Sequence, residues 1–212
     1  MPASQLGRWS AAIVGSVGVA YVVTVGIGMA LFGLREPIGD PILGVMEVLT
    51  LVSAVPTVVL MAAIHEHVDG GRKLHALIAL CFAVLFAGLT CVVHFVELTA
   101  VRQLGTGRIA WPSAEYAAEL LAWDLFLGLA LVFASRALAD EPGVGWVRGA
   151  LLAAGALCLG GLVGPVTGRM EWQFVGVFGY AIVLPIASFG LARWFRGTTA
   201  LRSTNRRRAE AG

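Results

Sequence analysis

Six long apolar stretches, separated by short polar links, organise this chain of 212 residues. Each stretch is close to the ~20 residues that an α-helix needs to cross the hydrocarbon core of a bilayer. The pattern therefore predicts an all-α fold, a polytopic bundle of six transmembrane helices. We expect a single transmembrane domain over 1–198 and a basic, disordered cytoplasmic tail over 199–212. The predicted helices span residues 10–34, 41–64, 74–99, 115–138, 146–167 and 172–194.

The third apolar stretch ends in TCVVHFVELTAVR, residues 90–102, which places ionisable side chains inside a predicted helix. His94 and Glu97 are three residues apart and share a helix face, with Thr90 one turn earlier. Ionisable groups are costly in hydrocarbon and usually face a bundle interior or a water-filled cavity. This face is the first candidate for a functional site, and the link over 99–114 is long enough to cap that end of the bundle.

Other predicted helices carry polar residues at the same depth. In a bundle with both termini on one side, the residues concerned all fall in the opposite half, whereas the half near the termini is almost purely apolar. This one-sided distribution indicates a pocket, with a structural hydrogen-bonded network as the alternative. Glu97 and Glu119 can equally be interfacial anchors. The polar residues of that half are Glu47, His94, Glu97, Glu119, Asp124 and Gln173.

Composition and charge support a membrane protein and indicate its orientation. The chain is 58% hydrophobic and only 13% charged, whereas about a quarter of the residues in a soluble domain are charged. Eleven of its Lys and Arg residues lie on the side of the termini and four on the other, so the positive-inside rule predicts cytoplasmic termini. We expect a multi-pass protein of the bacterial inner (plasma) membrane. No nucleic-acid-binding module is visible in the sequence.

Neither a metal nor a cofactor is expected. The loop HEHVDGGRK, residues 65–73, groups two histidines with two acids, but its Gly-Gly pair favours a solvated turn. A haem is not expected, because His94 is the only histidine predicted deep inside a helix. The cysteines lack CxxC spacing and fall in apolar stretches, which is typical of packed thiols. They are Cys81, Cys91 and Cys158.

The run AWDLFLGLALVFA, residues 122–134, together with VHFVELT on the preceding helix, resembles uncharacterised bacterial six-helix integral membrane proteins. That resemblance covers most of the chain, from the second to the sixth stretch, and implies no activity. A weaker similarity is to the integral-membrane terpene cyclases, which place an acid after a tryptophan in a helix and protonate an olefin or epoxide. Trp123 and Asp124 match that pair, although the family usually has seven helices and a glutamate.

The terpene cyclase resemblance implies an enzyme that uses buried carboxylates for acid–base chemistry on a lipid-soluble, isoprenoid-like substrate. Asp124 would donate the proton, and Glu97, His94 or Glu47 would tune it or take the proton back. The alternatives are a small proton-coupled transporter and a non-enzymatic subunit that binds lipid or a partner helix. The expected partners are membrane lipids and an apolar small molecule. The residues expected to contact that molecule are Trp123, Glu119, Tyr180, Phe95 and Thr90.

Overall fold

A computed structural model of the protein describes residues 1–33, 36–105 and 109–197. The predicted tail at 199–212 lies outside these residues, together with the four arginines that it contributed to the orientation count, and so do Arg35 and Arg108. No β-strand occurs in the described ranges. The prediction of an all-α fold is therefore confirmed for this part of the chain.

Within the described ranges, six helices are long and apolar enough to cross a membrane, as predicted. The mean hydropathy of their most apolar stretches lies between 1.8 and 2.7. Their ends differ from the predicted ones by a few residues, most at the first helix, which begins well before residue 10. The helices are Ala3–Phe32 (α1), Ile42–His67 (α2), Gly70–Leu104 (α3), Ala114–Ala137 (α4), Gly145–Thr167 (α5) and Met170–Gly197 (α6).

The helices form a closed ring, because each packs against the next one along the chain and α6 packs back against α1. Glycines permit the closest approaches. A Cβ atom on Gly155 of α5 would lie 2.7 Å from the carbonyl oxygen of Gly128 on α4. A Cβ atom on Gly164 of α5 would lie 2.8 Å from the backbone nitrogen of Gln173 on α6, so glycine lets these two helices approach closely there.

The two ends of the ring differ in their interior. The half that carries both termini, here the termini end, is filled by large apolar side chains with almost no solvent exposure, and the opposite half, here the far end, holds most of the buried charged residues. The large apolar side chains fill the interior at the termini end and close it. They include Leu60, Ile64, Leu131, Leu138, Leu151, Leu191 and Phe195.

The loop after α2 is less solvated than the sequence predicts. Helix α2 continues to His67, and that imidazole is 7% exposed, with its ring 4.7 Å from the ring of Trp194 and edge-on to it. The expectation that His94 is the only buried histidine was therefore wrong. The reason is that α6 brings Trp194 and Phe195 over the end of α2, where they cover the imidazole.

The outer surface of the ring is apolar along its length, as in a helix bundle that faces lipid. Three tryptophans at the helix ends, Trp9, Trp146 and Trp172, are about half exposed, which suits the interfaces of a membrane. Cys158 is buried as predicted, whereas Cys81 is exposed on this surface, so the prediction of a packed thiol was wrong for Cys81.

Ion pairs join the links at both ends. At the termini end, Arg72 donates two hydrogen bonds to Asp140, of 2.6 and 3.0 Å, so the α4–α5 link is tied to the start of α3. At the far end, Arg102 donates to Asp40 at 2.6 Å, and Asp40 also accepts from the backbone of Gly44 in the first turn of α2. These contacts fix the links that border the interior.

Candidate functional site

A cavity of about 430 Å³ occupies the far end, between α1, α2, α3, α4 and α6. This volume lies within the range of small-molecule sites in proteins, roughly 300–1,000 Å³. The chain contains three tyrosines, and all of them line this cavity. Helix α3 continues to Leu104, so the link that was expected over 99–114 is shorter, and it contributes Ile109 to the cavity. The polar lining residues are Tyr21, Glu36, Glu47, Thr50, His94, Glu97, Tyr116, Glu119, Gln173 and Tyr180.

The centre of this lining is an imidazole between two carboxyl groups, Glu47–His94–Glu119. Nδ1 of His94 is hydrogen-bonded to Oε2 of Glu47, and Nε2 lies 3.4 Å from Oε1 of Glu119. The contact to Glu119 lacks hydrogen-bond geometry, so Nε2 has no hydrogen-bond partner among the described residues. The side chains of His94 and Glu47 are 4% and 12% exposed, and that of Glu119 is 29% exposed.

This arrangement suits proton transfer. A neutral imidazole carries one N–H and one lone pair on opposite sides of the ring, so it can take a proton from one neighbour and give one to the other. Three different helices supply the three groups, because Glu47 is in α2, His94 in α3 and Glu119 in α4. A proton can pass between Glu119, which is the most accessible of the three, and Glu47 once the 3.4 Å gap between Oε1 of Glu119 and Nε2 of His94 closes to a hydrogen bond.

Glu97 also lines the cavity, one turn after His94, and is 3% exposed. Its Oε2 accepts a hydrogen bond of 2.8 Å from the backbone N–H of Ile109. The carboxyl group thus ties the link between α3 and α4 to the end of α3. The sequence left open whether Glu97 is an interfacial anchor or part of the polar cluster. Its burial places it in the cluster, and its hydrogen bond to Ile109 gives it a structural role as well.

Aromatic side chains form the deeper wall of the cavity. The ring of Trp123 lies 4.8 Å from the rings of both Tyr180 and Phe86, edge-on to Phe86. The phenol of Tyr180 accepts a hydrogen bond of 3.2 Å from the side-chain amide of Gln173. The indole N–H of Trp123 is buried without a hydrogen-bond partner among the described residues. The wall is therefore mainly apolar, with one donor left free.

A smaller cavity, here the slot, adjoins this wall on the side of the termini end and has a volume of about 50 Å³. Thr50, Ser53 and Thr57 border it, but each hydroxyl donates to a carbonyl of its own helix at 2.7–2.8 Å. Such internal bonds leave an essentially apolar lining. Both cavities are lined by Tyr21, Thr50, Glu119, Trp123 and Tyr180.

Asp124 lies away from both cavities, although the sequence made it the first candidate for the proton donor. It is completely buried between α4, α5 and α6, and both carboxyl oxygens lack a hydrogen-bond partner among the described residues. A Cβ atom on Gly161 would lie 2.9 Å from its Oδ1, so the carboxyl group fits only because that residue, and Gly176 opposite, are glycines. The structure therefore does not bring Asp124 together with His94, Glu47 and Glu97.

Two residues that were expected to contact a substrate also lie outside the cavities. Phe95 is 61% exposed on the outer surface, because a helix that presents His94 to the interior turns the next residue outward. Thr90 is completely buried, and its hydroxyl has no hydrogen-bond partner among the described residues. Glu119, Trp123 and Tyr180 do line the cavity.

Sequence reasoning missed Tyr21 and Tyr116 as lining residues. Tyr21 belongs to α1, which contributed no residue to the predicted polar half of the bundle. A usable signal existed, because Tyr21 is the only tyrosine of that helix and falls in its far-end half. Gln173 was placed in the correct half, and its amide now supports Tyr180.

Metal ligation is not favoured by the geometry of the cluster. The two nitrogens of His94 point to different carboxyl groups, so these side chains do not converge on one point. Among the described residues, no group of three or more His, Cys, Asp and Glu side chains could hold a metal ion. Comparison with protein-family models, with curated proteins and with solved structures finds no match to this chain.

Proposed function

We propose that this chain is an integral membrane enzyme that performs acid–base chemistry on a lipid-soluble, isoprenoid-like small molecule. The observation that carries the proposal is the row Glu47–His94–Glu119 along the wall of a cavity of about 430 Å³. A general acid must lie within hydrogen-bond reach of its substrate and of a group that restores its proton. Glu119 lines the cavity, and its Oε1 lies 3.4 Å from Nε2 of His94. Catalytic hydrogen bonds are often this long in the absence of substrate and tighten when it binds.

Protonation-initiated cyclisation is the reaction that we propose to test first. The O–H bond of Glu119 breaks as a C–H bond forms at a substrate double bond, which leaves a carbocation. A second double bond of the substrate attacks that cation to close a ring. Loss of a proton from a neighbouring carbon to the carboxylate then forms the product alkene and restores Glu119. The faces of Trp123 and Tyr180 can stabilise the cation in between.

We also propose that the protein lies in the bacterial inner membrane with both termini in the cytoplasm. The distribution of Lys and Arg supports this orientation, since eleven lie on the side of the termini and four on the other. The cavity then belongs to the outer half of the membrane. Membrane lipids would surround the apolar outer surface, and the substrate would enter from them.

A proton-coupled transporter is the second candidate. The observation in its favour is that Glu119 borders both the far-end cavity and the slot, which reaches Pro185 in the middle of α6. A proline inside a helix removes a backbone hydrogen bond and is a common site of bending. A solute could move along this line if the bundle opened at the termini end.

The deciding experiment compares lipid extracts from cells that express the wild type, Glu119→Gln, His94→Gln or Glu115→Gln. Glu115 is the matched control, because it lies one turn before Glu119 on the same helix but is exposed. We expect a cyclised lipid in extracts of the wild type and Glu115→Gln, and its loss in the other two. Equal expression and a sharp size-exclusion peak check that each variant folds.

Two results would contradict the proposed enzyme. A product that persists in Glu119→Gln would refute the role of this carboxyl group as the acid. Proton-driven solute uptake by proteoliposomes, lost in Glu119→Gln and without any new lipid, would replace the enzyme by the transporter.

A further inference from the structure

The slot is a continuation of the far-end cavity that serves no purpose in acid–base chemistry alone. Its lining comes from α1, α2, α3, α4 and α6, with Phe86 as the contribution of α3, and apart from Glu119 and Tyr21 it offers a ligand few polar atoms. The hydroxyls of Thr50, Ser53 and Thr57 are engaged with backbone carbonyls. An apolar pocket of this kind excludes water and favours hydrocarbon.

Polarity falls from the far-end cavity to the slot, that is, from the far end toward the middle of the bundle. The carboxyl groups, the imidazole and Gln173 all line the larger cavity, whereas Val14, Val17, Leu184 and Pro185 line only the slot. A molecule that occupies both must therefore be amphiphilic, with its polar end at the far end and its apolar end toward the middle of the bundle. A membrane amphiphile has the same polarity relative to the bilayer centre.

We propose that the slot binds the apolar chain end of an amphiphilic substrate and so measures the length of that chain. A cavity of about 10–15 Å³ is the smallest that holds one water molecule. The slot, at about 50 Å³, exceeds that several-fold but is small beside the far-end cavity, so it admits only the end of a chain, at most its last isoprene unit.

The position of Glu119 adds a consequence for the reaction. Its carboxyl group borders the slot and the cavity at their junction. A chain whose last isoprene unit fills the slot places the next double bond beside that group. This part of the inference rests on the proposed function: the acid would protonate an internal double bond, about one unit from the chain end.

Val17 and Val19 provide a matched pair for a test. Val17 lines the slot, and Val19, two residues later on the same helix, is 48% exposed on the outer surface. Val17→Phe fills the slot and Val17→Ala enlarges it, while Val19→Phe and Val19→Ala change only the lipid-facing surface. A single methylene in an apolar pocket changes selectivity by about 10–200-fold.

The experiment measures binding of tritiated prenols with two, three or four isoprene units to the protein in nanodiscs, with straight-chain primary alcohols of equal length as the second arm. We expect an optimum chain length in the wild type. Val17→Phe adds four side-chain carbons and should move the optimum one unit shorter. Val17→Ala removes two and should raise the affinity for the next longer chain relative to the wild-type optimum, each change being at least tenfold. Both Val19 variants should keep the wild-type optimum.

The outcomes separate this inference from the proposed enzyme. Equal behaviour of the Val17 and Val19 variants, or no binding by either series, would overturn the slot proposal. A length optimum for the straight-chain alcohols alone would support the slot and assign it to acyl rather than prenyl chains. The binding assay does not depend on turnover, so a failure of the acid role leaves the binding result intact.

Discussion

The buried carboxyl group of Asp124 gives the sharpest test of how this bundle is built. The side chain has no exposed surface, and neither oxygen has a hydrogen-bond partner among the described residues. It packs instead against Gly161 and Gly176. An unpaired polar group in such a place is a cost to stability rather than a gain. We therefore expect Asp124→Ala to stabilise the fold.

The size of the effect follows from three contributions. Removal of the carboxyl group relieves the desolvation cost of an unpaired buried polar group, about 1–3 kcal/mol. Alanine is also the better helix former by about 0.5 kcal/mol. Against this, loss of the group leaves a hole of roughly 40 Å³, which at about 24 cal/mol per Å³ costs about 1 kcal/mol. The net gain in unfolding free energy is about 0.5–2.5 kcal/mol.

The measurement is the Tm of the purified protein in detergent, followed by intrinsic tryptophan fluorescence. For a chain of this size the gain corresponds to a rise of about 1–10 °C. Asp124→Asn is the control, because it keeps the shape and an equally unpaired polar group and should gain nothing. A fall in Tm of 5 °C or more for Asp124→Ala, with Asp124→Asn unchanged, would refute the reasoning. Asp124 would then form an interaction that these contacts lack.

Two further predictions concern helix packing and the link at the termini end. Gly155→Ala should lower the Tm, because its Cβ would lie 2.7 Å from the Gly128 carbonyl oxygen and overpacking costs about 1–3 kcal/mol. A Cβ atom on Gly149 of the same helix has no neighbour within 4 Å, so Gly149→Ala should leave the Tm unchanged. Equal changes in Tm for the two variants would refute the packing argument. Arg72 holds the pKa of Asp140 below its ordinary value of 3.8, so the pair stabilises the fold above that pH and loses this contribution as the pH falls below it. In thermal scans between pH 6 and pH 3, the Tm of Asp140→Asn should fall less than that of the wild type. Identical Tm profiles of the two proteins would contradict a stabilising role of the Arg72–Asp140 pair.

The helices themselves could be predicted from the sequence because lipid leaves the backbone few choices. In hydrocarbon every N–H and C=O group must find a partner within the protein, so a long apolar stretch becomes a helix. Errors occur at the ends, where packing decides. Helix α1 begins at Ala3, since Ser4 and Gly7 are buried and Gly7 packs against Phe195 of α6. Helix α2 reaches His67 because Trp194 and Phe195 cover it.

The half of the bundle that holds the polar cluster was predictable, but the partners within it were not. Depth follows from position along each helix, so Glu47, His94 and Glu119 were expected near one another. Which residues face the same space depends on the rotation of each helix against its neighbours. That rotation is set by close contacts such as those of Gly161 and Gly176, which turn Asp124 toward α5 and α6. Adjacency to Trp123 in the sequence therefore suggested a role for Asp124 that its position does not support.

Among the described residues, three π-helical turns interrupt the helices that border the far-end cavity, and they contribute to the difference between the predicted and the observed partners. They occur at Glu97–Val101, Leu121–Leu127 and Gly179–Val183, within α3, α4 and α6. Each carries a residue that lines the far-end cavity, namely Glu97, Trp123 and Tyr180.

A π-helical turn widens the helix and changes the direction of the side chains that follow, so a sequence read with ordinary helical periodicity misplaces them. Such turns are rare, and they are frequent at functional sites. Three of them, each with a residue that lines the far-end cavity, support the proposal that this cavity binds a ligand.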